Sequence, residues 1–271
     1  MSSNEITLKQ KAKSYLKTPG SLLVMLLVMF SAIITFTVLI FLIVYILVHG
    51  VSVSEASLFS LHYNSENASL MPALINTVIM TFFSLLIAVP LGIFSAIFLV
   101  EYAKRGNRFV NVIRLTTETL QGIPSIVYGL FGMLFFVTTC HWGFSILAGA
   151  FTLAIMILPL IIRTSEEALL SVPDAYREAS FGLGAGKLRT IFRVVLPTAI
   201  PGILSGVILA TGRIVGETAA LLYTAGSVAK IPNLMGSGRT LAVHMYVLSS
   251  EGLYMDQHMQ RRWYCLYLCW R

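Results

Sequence analysis

An all-α, polytopic transmembrane helical bundle is the fold class this sequence predicts, and three observations predict it. Only 11% of the residues are charged and 56% are hydrophobic, whereas a soluble domain carries about 25% charged residues. The apolar residues come in long uncharged runs, near the ~20 residues a helix needs to cross a bilayer. The basic residues are sorted to one side of those runs, as the positive-inside rule requires of cytoplasmic segments.

Ser21 to Val48 is the first run, uncharged throughout. It is too long for the apolar region of a signal peptide, and no small-residue cleavage site follows it. Leu74 to Val100 is the second and contains Pro90 and Gly92. Ile123 to Thr139 is the third, Phe144 to Ile162 the fourth, and Ala199 to Tyr223 the fifth, which carries Arg213 and Glu217. Lys9, Lys11, Lys13 and Lys17 precede the first run. Lys104, Arg105, Arg108 and Arg114 separate the second from the third. Arg163, Arg177, Lys187, Arg189 and Arg193 separate the fourth from the fifth. Only Lys230 and Arg239 lie on the opposite side before the tail. The amino terminus is therefore expected in the cytoplasm, and the net charge of +7 follows topology. No basic patch with interleaved aromatics stands free of the runs, which excludes nucleic acid as a partner. Cys140, Cys265 and Cys269 form no framework of pairs and no metal-ligand spacing. The histidines near the run ends read as interfacial.

The stretch from Ser165 to Pro197 is long for a connection between spans, and such loops are usually functional. Ser171 with Asp174 fits a capping box, with Pro173 in the first turn. The helix it opens runs to about Leu183. Gly182, Gly184 and Gly186 permit a tight turn, and a second helix over Lys187 to Val195 ends before Pro197. Gly182 to Lys187 imitates a phosphate-binding loop but lacks its first glycine, where Phe181 stands, and its Ser/Thr, where Leu188 stands. ATP hydrolysis is not expected of this chain. Within the loop, Glu178-Ala179-Ser180, Gly184-Ala185 and Val194-x-Leu196-Pro197 resemble the EAA signature of ABC importer permeases, whose spacing they match in full. Ser180 and Val194 are mild departures. The resemblance implies that Glu178, Ala179, Gly184, Leu196 and Pro197 belong to a coupling helix that docks on a partner ATPase. An ordinary amphipathic loop helix is the plain alternative.

Gly212 to Ala220 places charge inside a span. Arg213 and Glu217 stand at i and i+4, so on one continuous helix they share a face and can pair. Arg213 lies about fourteen residues into its run, roughly 20 Å deep at 1.5 Å per residue. Intramembrane charge is expensive and marks function by default. A guanidinium there suits a tetrahedral oxyanion, with Glu217 holding it in position and Thr218 beside it. The alternatives are a structural ion pair or a proton relay through Glu217. Gly122-Ile123-Pro124-Ser125 either bends its helix or simply starts it. Glu118 just before it is a cytoplasmic cap or a path residue.

Gln121 to Gly132, Gly212 to Ala220, Asn76-Thr77 and Ile157 to Ala168 together look like the PstA-type phosphate permease subunit, over roughly residues 15 to 257. The resemblance implies the type I ABC importer (MetI-like) fold. It divides the chain into a cytoplasmic segment 1–20 and a permease domain 21–257 with its coupling loop at 164–198. It implies a PstC-like permease subunit, a PstB-like ATPase dimer and a periplasmic phosphate-binding protein as partners, in a bacterial inner membrane. It implies no cofactor, metal or catalytic residue. Residues recognising phosphate would suit sulfate or molybdate equally. A permease for another oxyanion, a non-transporting phosphate-sensing subunit, and a channel or secondary transporter working without ATP remain the other readings.

Permeases of this type end in a sixth span, yet residues 258–271 are short and carry Arg261, Arg262, Trp263, Cys265, Cys269 and Trp270. The expectation is a one-base deletion near codon 258, leaving five intact spans and a truncated sixth. In the displaced frame, Met259–Gln260 encodes alanine, Trp263–Tyr264 valine, and Tyr264–Cys265 and Cys269–Trp270 leucine, an apolar helix. The alternative is a genuine amphipathic tail, and the gene's sequence decides between them.

Overall fold

The computed structural model describes residues 19–51, 60, 63, 69–103 and 108–251. The tail at 258–271, the lysines before the first span, and Lys104 and Arg105 lie outside the described residues.

Helix α1 (Pro19–Val51) is apolar on every side, and its 26-residue apolar stretch has no buried share. The remaining helices build the bundle. α2 (Met71–Ile97) continues through a π-helical turn, Phe98–Tyr102. α3 (Arg108–Gln121) and α4 (Ser125–Gly132, extended by a π-helical Met133–Thr139) meet at 99°. Of the two readings of Gly122 to Ser125, the structure takes the bend. Pro124, with no N–H to donate, stands at the amino end of α4, where none is needed. α5 (Ile146–Leu170) is the central helix, capped by Ser145, whose Oγ accepts from the Ala148 N–H at 3.2 Å. α6 (Asp174–Gly182) and α7 (Lys187–Thr190, with a π-helical Ile191–Val195) form the loop. α8 (Leu196–Val215), α9 (Ala219–Thr224) and α10 (Leu241–Glu251) complete the described order. Four helices are long and apolar enough to cross a membrane, five if the bent α3–α4 pair is one span.

Three boundaries differ from the sequence reading. α5 runs past Ile162 to Leu170, because Ala168 and Leu169 pack into a core with the loop helices, while Arg163 and Glu167, one turn apart, pair at 2.8 Å on its outer face. The fifth span begins at Lys187, since Pro197 does not stop it. The preceding π-helical turn widens the backbone where the proline ring would clash with a carbonyl one turn back. That span ends at Val215 rather than Tyr223, with Gly216 as its C-cap. The expected Ser171–Asp174 capping box is also absent. Ser171 Oγ–H instead donates to the Ala168 carbonyl at 2.7 Å, and α6 has no side-chain cap.

Two cores hold the bundle. The larger joins Met80 and Ala88 of α2, Leu153, Ile157 and Ile161 of α5, and Ala210 and Ile214 of α8. The second sits at the end of the bundle that carries the α6–α7 loop, where Ile97, Leu169, Val172, Ile191, Val195 and Ile203 converge. Small residues allow the close crossings, as is usual where lipid supplies no drive for helix association. A Cβ on Gly92 would lie 2.6 Å from Ile161 Cγ2, one on Gly202 2.7 Å from Ala168 Cβ, and one on Gly129 2.8 Å from Ala220 Cα.

Candidate coupling loop and intramembrane arginine

The loop between α5 and α8 is a rigid hairpin of two short helices. α6 ends at Gly182. The Leu183 N–H then donates to Ala179 O at 3.1 Å, Gly184 N–H to Phe181 O at 2.9 Å, and Ala185 N–H to Ser180 O at 3.1 Å. Gly184 takes φ +80°, a left-handed conformation that L side chains resist. The carbonyls at the end of α6 are thereby satisfied, and the chain reverses into α7. Ser180 Oγ and Thr190 Oγ1, 2.9 Å apart, staple the two helices.

The hairpin presents an apolar tip. Leu183 is 90% exposed, and Phe181, Leu188 and Phe192 are exposed around it. Glu178 and Ala179 are also exposed, Leu196 is half-buried against the second core, and Pro197 is exposed at the start of α8. The structure therefore places the signature residues on one external hairpin, with its root in the core.

The root is held by a residue that sequence reasoning passed over. Arg177 on α6 reaches Glu101 at the end of α2, with Nε and Nη2 donating to Glu101 Oε1 at 3.0 and 2.8 Å. Its remaining N–H groups serve Asp174 Oδ1 at 3.2 Å and the carbonyls of Val172 and Leu169 at 2.7 and 3.0 Å. Lys187 on α7 lies over the Tyr102 ring, 4.7 Å from its centroid. Both ends of the hairpin are thus tied to the last turn of α2. A cleft of about 640 Å³ opens beside this junction, between Val100, Val110, Arg114, Pro173 and Arg177. A second charged cluster joins α3 to α5. Arg114 Nε lies 2.6 Å from Glu166 Oε1, and Arg163 is 3.6 Å from Glu118 and 2.8 Å from Glu167. Glu118, left open as cap or path residue, is a partner in this cluster. The only sequence signal for the cluster was the one-turn spacing of Arg114 with Glu118 and of Arg163 with Glu167.

The intramembrane pair is arranged differently from the expectation. Arg213 and Glu217 form no ion pair, because α8 ends between them. Glu217 is buried, and its Oε1 accepts the Ala220 N–H at 3.1 Å, capping α9. Thr218 is half-buried at the amino end of α9, where its carbonyl accepts the Leu222 N–H at 3.1 Å. Arg213 is left half-buried in the last turn of α8, without an ion pair among the described residues, and lines an open groove of about 490 Å³ with Leu160, Ile208, Leu209 and Gly212. The groove is otherwise apolar, so the guanidinium supplies its only charge. Among the described residues no group of His, Cys, Asp and Glu could hold a metal ion.

Residues 88–250 match the model of the "binding-protein-dependent transport system inner membrane component" family. The chain is similar to the probable ABC transporter permease protein YqgI of Bacillus subtilis, 36% identical over 78% of this chain and 77% of that protein. It is also similar to the phosphate transport system permease protein PstA 1 of Mycobacterium tuberculosis, 42% identical over 57% of this chain and 50% of that protein. The chain thus spans about half the length of the curated PstA relative. Among solved structures, an inward-facing MetNI methionine ABC transporter matches with a TM-score of 0.55 at 20% identity, over 74% of this chain and 88% of that one.

Proposed function

The chain belongs to the family of binding-protein-dependent transport system inner membrane components, and we propose that within it the protein forms half of the translocation pathway of an ATP-driven phosphate importer. Membership makes it a multi-pass permease rather than an enzyme, working with an ATPase and a substrate-binding protein. The finer assignment is a PstC-like second permease, a PstB-like ATPase dimer and a periplasmic phosphate-binding protein, in a bacterial inner membrane with the amino terminus inside.

The observation that carries the reading is the exposed hairpin. Its signature residues stand in family register on a lever whose tip is apolar and whose root is fixed to α2 and α8. A tip of this kind fits a cleft on an ATPase, and a rigid root passes displacement of the tip into the spans. Phosphate is favoured by the names of the PstA relatives and by Arg213, a cation set in an apolar groove that can offer two N–H donors to a tetrahedral anion. Glu217 and Thr218 hold the break behind it.

The test is uptake of labelled phosphate by the reconstituted complex, with sulfate as competitor. ATP-dependent phosphate uptake is expected, and Arg213→Gln is expected to abolish it while leaving assembly intact. Uptake that needs no ATP, or that survives Arg213→Gln unchanged, would sink the corresponding half of the proposal.

A further inference from the structure

At the end of the bundle opposite the hairpin, two residues before α10, stands a buried arginine with no part in the proposed pathway. Arg239 is 4% exposed. Its backbone is fixed from two sides: its N–H donates to Val228 O at 3.0 Å, and its carbonyl accepts Asn76 Nδ2 at 3.2 Å. Asn76 also donates to Lys230 O at 2.9 Å, and the Leu241 N–H donates to Thr77 Oγ1 at 2.8 Å. The start of α10 is therefore pinned to the first turns of α2. The Arg239 guanidinium lies over the Tyr63 ring, 4.6 Å from its centroid, which covers one face of its plane.

The edge of that plane is unserved. Arg239 Nε and Nη2, the two nitrogens of its side-on fork, are buried with no hydrogen-bond partner among the described residues. The neighbouring Thr240 Oγ1 and Asn76 Oδ1 are in the same condition. An unserved buried ionic fork is strongly unfavourable, and it has the geometry that binds two oxygens of one anion. The amino end of α10, an 11-residue helix, adds positive potential at the same place. A carbonyl oxygen on the residue that holds the Arg239 backbone and a hydroxyl on the residue that follows it suit a ligand that also carries a proton, as hydrogen phosphate does and sulfate at neutral pH does not.

We propose that Arg239, with Thr240 and Asn76, forms an oxyanion site at the outer end of the bundle, distinct from Arg213 and favouring a protonated tetrahedral anion. A Cβ on Gly149, in the first turn of α5, would lie 2.9 Å from Met80 Cε, so the start of α5 stands level with the third turn of α2, about one turn inward of Asn76. Arg213 shares its groove with Leu160, about fourteen residues further along α5 from Ile146, or roughly 20 Å deeper. Two arginines at different depths give an incoming anion successive resting places. That sequence of use rests on the importer reading; the site itself does not.

The experiment is equilibrium dialysis of labelled inorganic phosphate against the detergent-solubilised complex, free of binding protein, in an Arg213→Gln background. Retained phosphate binding that Arg239→Gln weakens tenfold or more, with assembly unchanged by size exclusion, is the expected result. Arg239→Lys, which keeps the charge and loses the fork, should weaken it severalfold, and it serves if the glutamine variant does not assemble. Four results would overturn the site. In the first, the Arg213→Gln complex binds no phosphate. In the second, binding is indifferent to both Arg239 variants. In the third, Glu66→Gln, at the acidic position nearest Tyr63 in the sequence, and Arg239→Gln destabilise the complex equally and non-additively, which would mean that a carboxylate of this chain serves the fork. In the fourth, the Arg239 variants lose the second permease subunit with phosphate binding intact, which would assign the fork to a partner's carboxylate. Uptake separates this from the functional reading. Phosphate import with Arg239-independent binding removes only the site. Sulfate import, with Arg239-dependent sulfate binding, removes only the assignment to phosphate.

Discussion

Replacing Arg177 by alanine tests how the hairpin is anchored. Its side chain is 14% exposed and that of Glu101 9%, so the variant leaves a carboxylate nearly out of water without its cation. The carbonyls of Leu169 and Val172 lose a donor at the same time. Removing one member of a fully buried pair costs about 3–5 kcal/mol. Partial access for water at this junction lowers that to about 2–3 kcal/mol, roughly thirty- to a hundredfold in the local closing equilibrium at 1.4 kcal/mol per decade. The purified complex should unfold at a lower temperature, and its ATPase activity should lose its dependence on transport as the lever slackens. The exposed Arg163–Glu167 pair is the reference, since pairs of that kind contribute about 0–1 kcal/mol and Glu167→Gln should change little. Removing both charges, as Arg177→Met with Glu101→Gln, should recover most of the loss. An Arg177→Ala variant as stable as Glu167→Gln, or a double variant no better than the single, would refute the anchoring argument.

Gly129→Ala should destabilise the bundle by about 1–3 kcal/mol, because the new methyl meets the Ala220 backbone, which has no side chain to move aside; thermal unfolding of the assembled complex measures it. Leu183→Asp should leave the subunit's own stability within about 0.5 kcal/mol, as exposed substitutions do, while weakening ATPase association at least tenfold in a pull-down titration. Gly184→Ala should cost about 1–2 kcal/mol from the left-handed φ alone and should reduce coupled ATPase activity without changing phosphate binding.

The spans were legible because hydropathy is a sum over many residues and tolerates local irregularity. Their ends were not, because each end is decided by a few interactions. α5 outruns its apolar stretch because Ala168 and Leu169 pack into the second core, a contact made with distant parts of the chain. α8 passes through Pro197 because a π-helical turn precedes it, and no propensity argument foresees that. The hairpin was legible for another reason: its glycine turn and proline sit at fixed spacing within one segment. Arg213 was found as a buried charge, but its pairing with Glu217 assumed a continuous helix, and Gly216 ends it. Glu101 and Arg177 stand 76 positions apart. Arg239 and Asn76 are 163 apart. Contacts of that kind leave no local trace in a single sequence.

The bare surface of α1 has a thermodynamic consequence. A helix with no buried share in the fold to which it is covalently joined draws its stability from insertion into lipid, with little from neighbours. The chain then contains two cooperative units of unlike origin, one melting when side-chain packing fails and one leaving only when the bilayer or a second subunit releases it. Calorimetry or single-molecule extraction of the subunit should therefore resolve two events. The family match from residue 88 onward lies wholly within the packed unit, and α1 is free to diverge, to tilt, or to seat itself against another subunit without disturbing the helices that carry the lever.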